Sequence, residues 1–196
     1  MHNSFWDNIT NQDIQQLPLL SFSGEIHVIE TESAFDEALA ELQQHNILGF
    51  DTEKKPTFRR GDYNPTALIQ LSTIDDAFLF RLNKIGYPPE LFDFLADPNI
   101  LKLGISIDDD LKELQKLGEF EPGNFTDLNS ISKELGVKHI GVKKLAAIFL
   151  NHRISKGQQT SNWENEVLTE SQQRYAATDA WICVKIYNTM VEKGYV

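Results

Sequence analysis

Two carboxylates one residue apart, Asp51 and Glu53 in ILGFDTE, are the first side chains along this chain that could act together chemically. Ile47 to Phe50 is a short apolar run without proline that follows an amphipathic segment, so it reads as a buried strand. Residues two apart on a strand share a face, and Asp51 and Glu53 therefore project together from its end. Like charges this close repel, and one stays protonated unless a cation lies between them. Carboxylate oxygens and water are the usual surroundings of Mg²⁺ or Mn²⁺. A strand end that merely turns polar as it leaves the core would carry the same D-x-E.

Two later segments bear on that choice. In LTESQQRYAATDAW, Thr169 followed by Gln172 is a capping-box pattern that starts a helix. Tyr175 and Asp179, four apart, then share one helix face, and the small Ala176, Ala177 and Ala180 let another element approach closely. An ordinary amphipathic helix with a half-buried Tyr and a solvated Asp fits the same letters. In KLGISIDDDLKEL an apolar strand runs into Asp108, Asp109 and Asp110, followed by Leu111, Leu114 and Leu117 at helical spacing. Helix capping and the helix dipole, about 0.3–1 kcal/mol for each exposed acid, account for one or two of these three.

In order and context, D-x-E, a strand-to-helix Asp and Y-x-x-x-D resemble the DEDD superfamily of 3'-5' exonucleases in its tyrosine-containing branch. The likeness is nearest to the Werner-syndrome-type exonuclease domain and more distant to ribonuclease D. GFDTE resembles the family's first motif, GISIDDDLKEL its second and LTESQQRYAATDAW its third, while ALIQLST resembles its second core strand and SNWENEVLTE the approach to the last helix. The likeness runs from about Gly24 to Val196. It implies a ribonuclease H-like α/β fold, a mixed-sheet sandwich with helices on both faces. It also implies two Mg²⁺ or Mn²⁺ ions held by Asp51, Glu53, Asp110 and Asp179, with Tyr175 beside them, and a nucleic acid with a free 3' end as substrate. Within the acid run Asp110 is the matching residue, because the family's Asp lies four before an apolar helix position, here Leu114. Lys54 and Lys55 depart from the pattern, since Werner-type domains carry an aromatic or apolar residue just after the first motif.

The formal net charge of −11 over 196 residues is the opposite of what extended duplex binders show. Bound metals offset part of an acidic site, and a local basic patch suffices for a strand end. Lys54, Lys55, Arg59 and Arg60 form such a patch directly after the first motif and are the expected substrate contacts. Lys143, Lys144, His152, Arg153 and Lys156 cluster before the third. Cys183 is the single cysteine, which excludes a disulfide framework and a zinc pattern. No segment has the build of a signal peptide or the length of a membrane span, so no membrane partner is expected and the cytoplasm is the expected compartment.

One domain is expected over residues 24–196, after a polar extension, residues 1–23, with Phe5, Trp6, Leu17, Leu19, Leu20 and Phe22 as apolar anchors. EIHVIE reads as a strand, and Thr31 or Ser33 caps a helix that buries Phe35, Ala38, Leu39 and Leu42. ALIQLST and AFLFRL form a hairpin around Asp75 and Asp76. PPELFDFLAD is a helix, ILKLGIS a strand, and helices are expected to dominate from Asp109 onward. Asp127 reads as a helix cap, and Asn162 and Trp163 as the residues that fix the entry to the last helix. An RNA-processing exonuclease of the ribonuclease D kind, a silent nucleic-acid-binding domain and an interaction module built on the extension are the alternatives.

Overall fold

The computed structural model describes residues 9–57, 59 and 61–196. Helix α1 (Asn11–Gln16) precedes strand β1 (Glu25–Ile29), helix α2 (Glu32–Leu42) and strands β2 (Ile47–Lys54), β3 (Thr66–Ser72) and β4 (Asp76–Arg81). Helices α3 (Leu82–Ile85) and α4 (Pro89–Ala96), strand β5 (Leu101–Gly104), helix α5 (Asp108–Leu114), strand β6 (Phe125–Asp127) and helix α6 (Leu128–Glu134) follow. Helix α7 (Val142–Leu145) runs into a π-helical turn (Ala146–Leu150), and α8 (Glu170–Glu192) closes the chain. The strands form one sheet in the order β1-β4-β3-β2-β5-β6. β3 pairs antiparallel with β2 and β4, and the other neighbours are parallel.

The sheet is covered on both faces, which is why β3 is buried along its whole length. Leu48 and Phe50 of β2, Ile69 and Leu71 of β3, and Phe78 and Phe80 of β4 pack on one side against Phe35, Leu39 and Leu42 of α2, Leu91 and Leu95 of α4, and Leu114 of α5. Thr31 caps α2 as expected, its side chain accepting from the Ala34 amide. On the other side lie α8, α6 and the π turn, through Ile182, Ile186, Leu128 and Ile148. Gly49 lets α8 sit this close, because a Cβ there would lie 2.0 Å from the Ala180 carbonyl oxygen. Gly49→Ala should therefore lift α8 and lower stability by about 1–3 kcal/mol, the usual cost of overpacking. Urea unfolding checks this, and activity should fall with it, because α8 carries Tyr175 and Asp179.

Arg81 fixes the segment that leads into α8. Fully buried at the end of β4, it pairs with Glu30 and donates to the carbonyl oxygens of Asn165 and Glu166, the latter at 3.0 Å. Trp163, also fully buried, packs against Tyr175 with ring centroids 6.0 Å apart. Gln172 donates to the Asn162 carbonyl while closing the capping box with Thr169.

Helices dominate the region after Asp109 as expected, and Phe125–Asp127 adds a short sixth strand beside β5. Three residues are too few for a period-2 pattern to register. Asp127 does cap α6, accepting from the Asn129 amide at 2.8 Å. The stretch before Gly24 contains helix α1, started by a reciprocal Thr10–Asp13 capping box. Ile9, Ile14 and Phe22 are buried in the core beneath α8, with the Phe22 ring 5.7 Å from Trp181. Leu20 donates its amide to the Arg153 carbonyl, whereas Leu19 is 51 % exposed. Phe5 and Trp6 lie outside the described residues.

Candidate metal centre and active site

Strand parity sorts the first motif. Leu48 and Phe50 face α2 and α4, so Gly49, Asp51 and Glu53 face α8. There the carboxylates of Asp51 and Glu53 meet that of Asp179, with ligand atoms from all three within 4.8 Å of one another. Burial, then the charges of Asp179 and Asp110, push the Asp51 carboxyl well above the usual carboxylate range. Glu53 is pushed up to about 9 by burial first and by Asp51, Asp179 and Asp110 after it. Burial also raises Asp179, against a lowering by the Tyr175 hydroxyl and Lys156. Asp179 Oδ1 is buried with no hydrogen-bond partner among the described residues. Three converging acids with an orphaned oxygen fit a hard divalent cation. A second His/acid group, Glu25, His27 and Asp76, lies at the sheet edge, where His27 already bonds to Asp76 at 3.0 Å.

Asp110 stands at the flank of this trio rather than within it. Its carboxylate accepts from the hydroxyl of Thr52, the β2 residue of opposite parity. Burial raises its pKa, with the Thr52 bond and Lys54 opposing. Of its neighbours, Asp109 has a side chain 92 % exposed and paired with Lys112 at 3.1 Å. Asp109→Asn should therefore leave hydrolysis unchanged while Asp110→Asn lowers it at least about tenfold, the smaller end of what losing a group that supports a metal costs. Side-by-side rates under identical metal conditions check this, and the reverse pattern would shift the second motif by one residue.

Tyr175 is buried on α8 beside Asp179, and burial followed by the charges of Asp179 and Glu53 drives its hydroxyl above the ordinary phenol range. A cleft of about 480 Å³ opens onto these groups, lined by Asp51, Glu53, Lys54, Lys55, Tyr175 and Asp179. Cys183 also lines it, its buried thiol raised in pKa by desolvation. Of the basic patch, Lys54 lies 3.9 Å from Glu113 and Lys55 3.1 Å from Glu164, so acids from α5 and from the segment before α8 balance both. Arg59 is exposed and does not line the cleft, and Arg60 lies outside the described residues.

Lys156 and Gln159 line the cleft as well. Lys156 is the ammonium whose charge lowers Asp51, Glu53 and Asp179. In the sequence it stood only within a basic cluster before the third motif. Its proximity to the acids comes from the turn between the π-helical segment and α8, which no local pattern encodes. Others of that cluster face elsewhere: Arg153 donates to the Leu17 carbonyl at 3.0 Å, and the His152 Nδ1 pairs with the Leu150 carbonyl oxygen at 2.7 Å.

Comparison with known proteins agrees with this geometry. The family model described as 3'-5' exonuclease matches residues 26–194. A 3'-5' exonuclease of Acanthamoeba polyphaga mimivirus is 31 % identical over 201 residues, covering 90 % of this chain and 49 % of that protein. The bifunctional 3'-5' exonuclease/ATP-dependent helicase WRN of Mus musculus is 30 % identical over 196 residues, covering 91 % of this chain and 13 % of its own length. The chain thus spans half or less of these curated relatives. Among solved structures, the Nibbler EXO domain of Aedes aegypti superposes with a TM-score of 0.78 at 23 % identity, covering 86 % of this chain and 88 % of that one. Ribonuclease D of Escherichia coli gives 0.75 at 22 %, covering 87 % and 46 %. The fold is accordingly ribonuclease H-like. With three acids gathered at the end of β2 and a match along nearly its whole length, the chain belongs to the 3'-5' exonuclease family of the DEDD type.

Proposed function

We propose that this protein is a metal-dependent 3'-5' exonuclease of the tyrosine-containing branch that removes nucleotides from a nucleic-acid 3' end. The observation that carries the reading is the meeting of Asp51, Glu53 and Asp179 within 4.8 Å, with Tyr175 beside them in an open cleft. Asp51, Glu53 and Asp179 would hold divalent ions, Mg²⁺ or Mn²⁺, with Asp110 contributing from the flank. When bound, a pair of such ions supplies Lewis acidity toward the phosphodiester and a nucleophile near neutral pH.

The chain's own residues do the rest. Tyr175, with its pKa raised, keeps its proton, so its hydroxyl donates a hydrogen bond to the scissile phosphate or orients the attacking water and is no general base. Lys156 brings positive charge to a site that otherwise repels a polyanion. Trp163 and Arg81 hold the start of α8, and with it Tyr175, in place.

The substrate is proposed to be DNA slightly in preference to RNA, following the resemblance of the motifs to the Werner-type exonuclease domain. RNA is the second reading, favoured by the structural likeness to ribonucleases D, one of them solved with RNA U12. DNA and RNA strands of one sequence, digested in competition, decide between the two. Replacing Lys54, Lys55, Arg59 and Arg60 together by Ser should weaken substrate binding and flatten its salt dependence, with up to about 0.7 per lost phosphate contact removed from the log–log slope on single strands. Filter binding at several salt concentrations measures it, and an unchanged slope would place the backbone elsewhere.

A further inference from the structure

Gln70, in the middle of β3, is completely buried, and neither its amide nitrogen nor its amide oxygen has a hydrogen-bond partner among the described residues. An unpaired buried amide carries a desolvation cost that an apolar side chain of the same shape does not. The rest of the strand suits an apolar residue here, since every position from Thr66 to Ser72 is buried and strands covered on both faces are apolar by default. Folding alone gives no reason for a glutamine.

The register supplies one. Gln70 stands directly opposite Asp51 across the β2–β3 ladder. Opposed residues on an antiparallel pair share a face and bring their Cβ atoms within about 4.5–5.5 Å. The amide therefore lies on the α8 face, beside the carboxylate that the metal reading places at the centre of the site. Asp51 Oδ1 accepts from the Thr52 amide at 2.9 Å, so a backbone donor at one oxygen already restrains the carboxylate. On the same face Trp163 packs against Leu68 and Leu79, the first two positions along β3 from Gln70 and the second its partner on β4. The Trp163 indole N–H is likewise buried without an acceptor. The Gln70 amide and the Trp163 indole N–H are thus two unpaired buried polar groups on the α8 face of β3.

We infer that Gln70 is a positioning residue for Asp51, its NH₂, unpaired in this structure, donating to the carboxylate once a metal is bound and setting which oxygen faces the metal. The inference rests on the metal reading of the acidic trio. Groups that orient metal ligands are worth about 10–100-fold in metal affinity when removed. A purely structural glutamine would leave that affinity alone.

The test is a Mn²⁺ titration followed by thermal melting, for the full chain and for Gln70→Met, which keeps the length and volume and removes the amide. Gln70→Asn serves as a second variant, with the amide kept but withdrawn by one methylene. Expected are melting temperatures in EDTA at or above that of the wild type for Gln70→Met, and a Mn²⁺ midpoint about 10–100-fold higher, with Gln70→Asn between the two. An unchanged Mn²⁺ midpoint in either variant overturns the inference. So does a lowered melting temperature of Gln70→Met in EDTA, which would make the amide a structural group. A wild type that shows no Mn²⁺ shift fails earlier, at the reading of the trio as metal ligands.

Discussion

Asp51→Asn is expected to abolish hydrolysis, lowering the rate at least about 10³-fold, because each 1.36 kcal/mol lost from the transition state is a factor of ten and a metal ligand carries several kcal/mol. The same substitution should leave the EDTA-treated protein as stable as the wild type or more so. Without a cation the Asp51, Glu53 and Asp179 carboxylates crowd within 4.8 Å, and removing one charge relieves the rest. Activity and stability therefore move in opposite directions, which ordinary damage to the fold does not do. Asp179→Asn should behave alike. Rates in Mn²⁺ and melting curves in EDTA, taken on one preparation, check both halves, and an Asp51→Asn protein that digests nucleic acid at the wild-type rate would remove the acid from the mechanism.

Metal should stabilise the wild type and remove its loss of stability with rising pH. A ligand at a hundred times its Kd adds about 2.7 kcal/mol, which at this chain length raises Tm by about 5–10 °C. The sign with pH follows from Glu53, raised from 4.5 to about 9 by burial and its neighbours. Between those values the metal-free native state binds more protons than the unfolded chain, so its stability is full below the lower value and is lost as pH rises through the upper one. A divalent ion takes the place of that proton. Its apparent affinity should climb over the same interval, and the metal-loaded protein should lose the decline. Melting temperatures from pH 5 to 9, with EDTA and with millimolar Mn²⁺, test this; parallel curves would mean that no cation binds among these acids.

Much of the site was readable because it lies where local patterns are strongest. Asp51 and Glu53 sit at the end of a short apolar run, where parity puts them on one face, and Tyr175 and Asp179 are one helical turn apart behind a capping box. Small residues forecast the close seat of α8, and Gly49 beneath Ala180 is the physical form of that forecast. Asp110 was chosen over Asp109 through the family resemblance, by its place before Leu114, and its half-buried contact with Thr52 against the exposure of Asp109 is in keeping with that choice. What stayed hidden depends on contacts far apart in sequence. Lys156 reaches the acids across the turn before α8, and Gln70 meets Asp51 only through strand register. The β6 strand is three residues long, and α1 lies in a stretch whose burial depends on a core contributed by α8.

The most direct test of the central claim is digestion of a single strand labelled at its 5' end, in Mn²⁺ and in EDTA. The account predicts a ladder that shortens one nucleotide at a time in Mn²⁺ and an intact strand in EDTA. A labelled mononucleotide released at once, digestion that persists in EDTA, or cutting of a closed circle would contradict it.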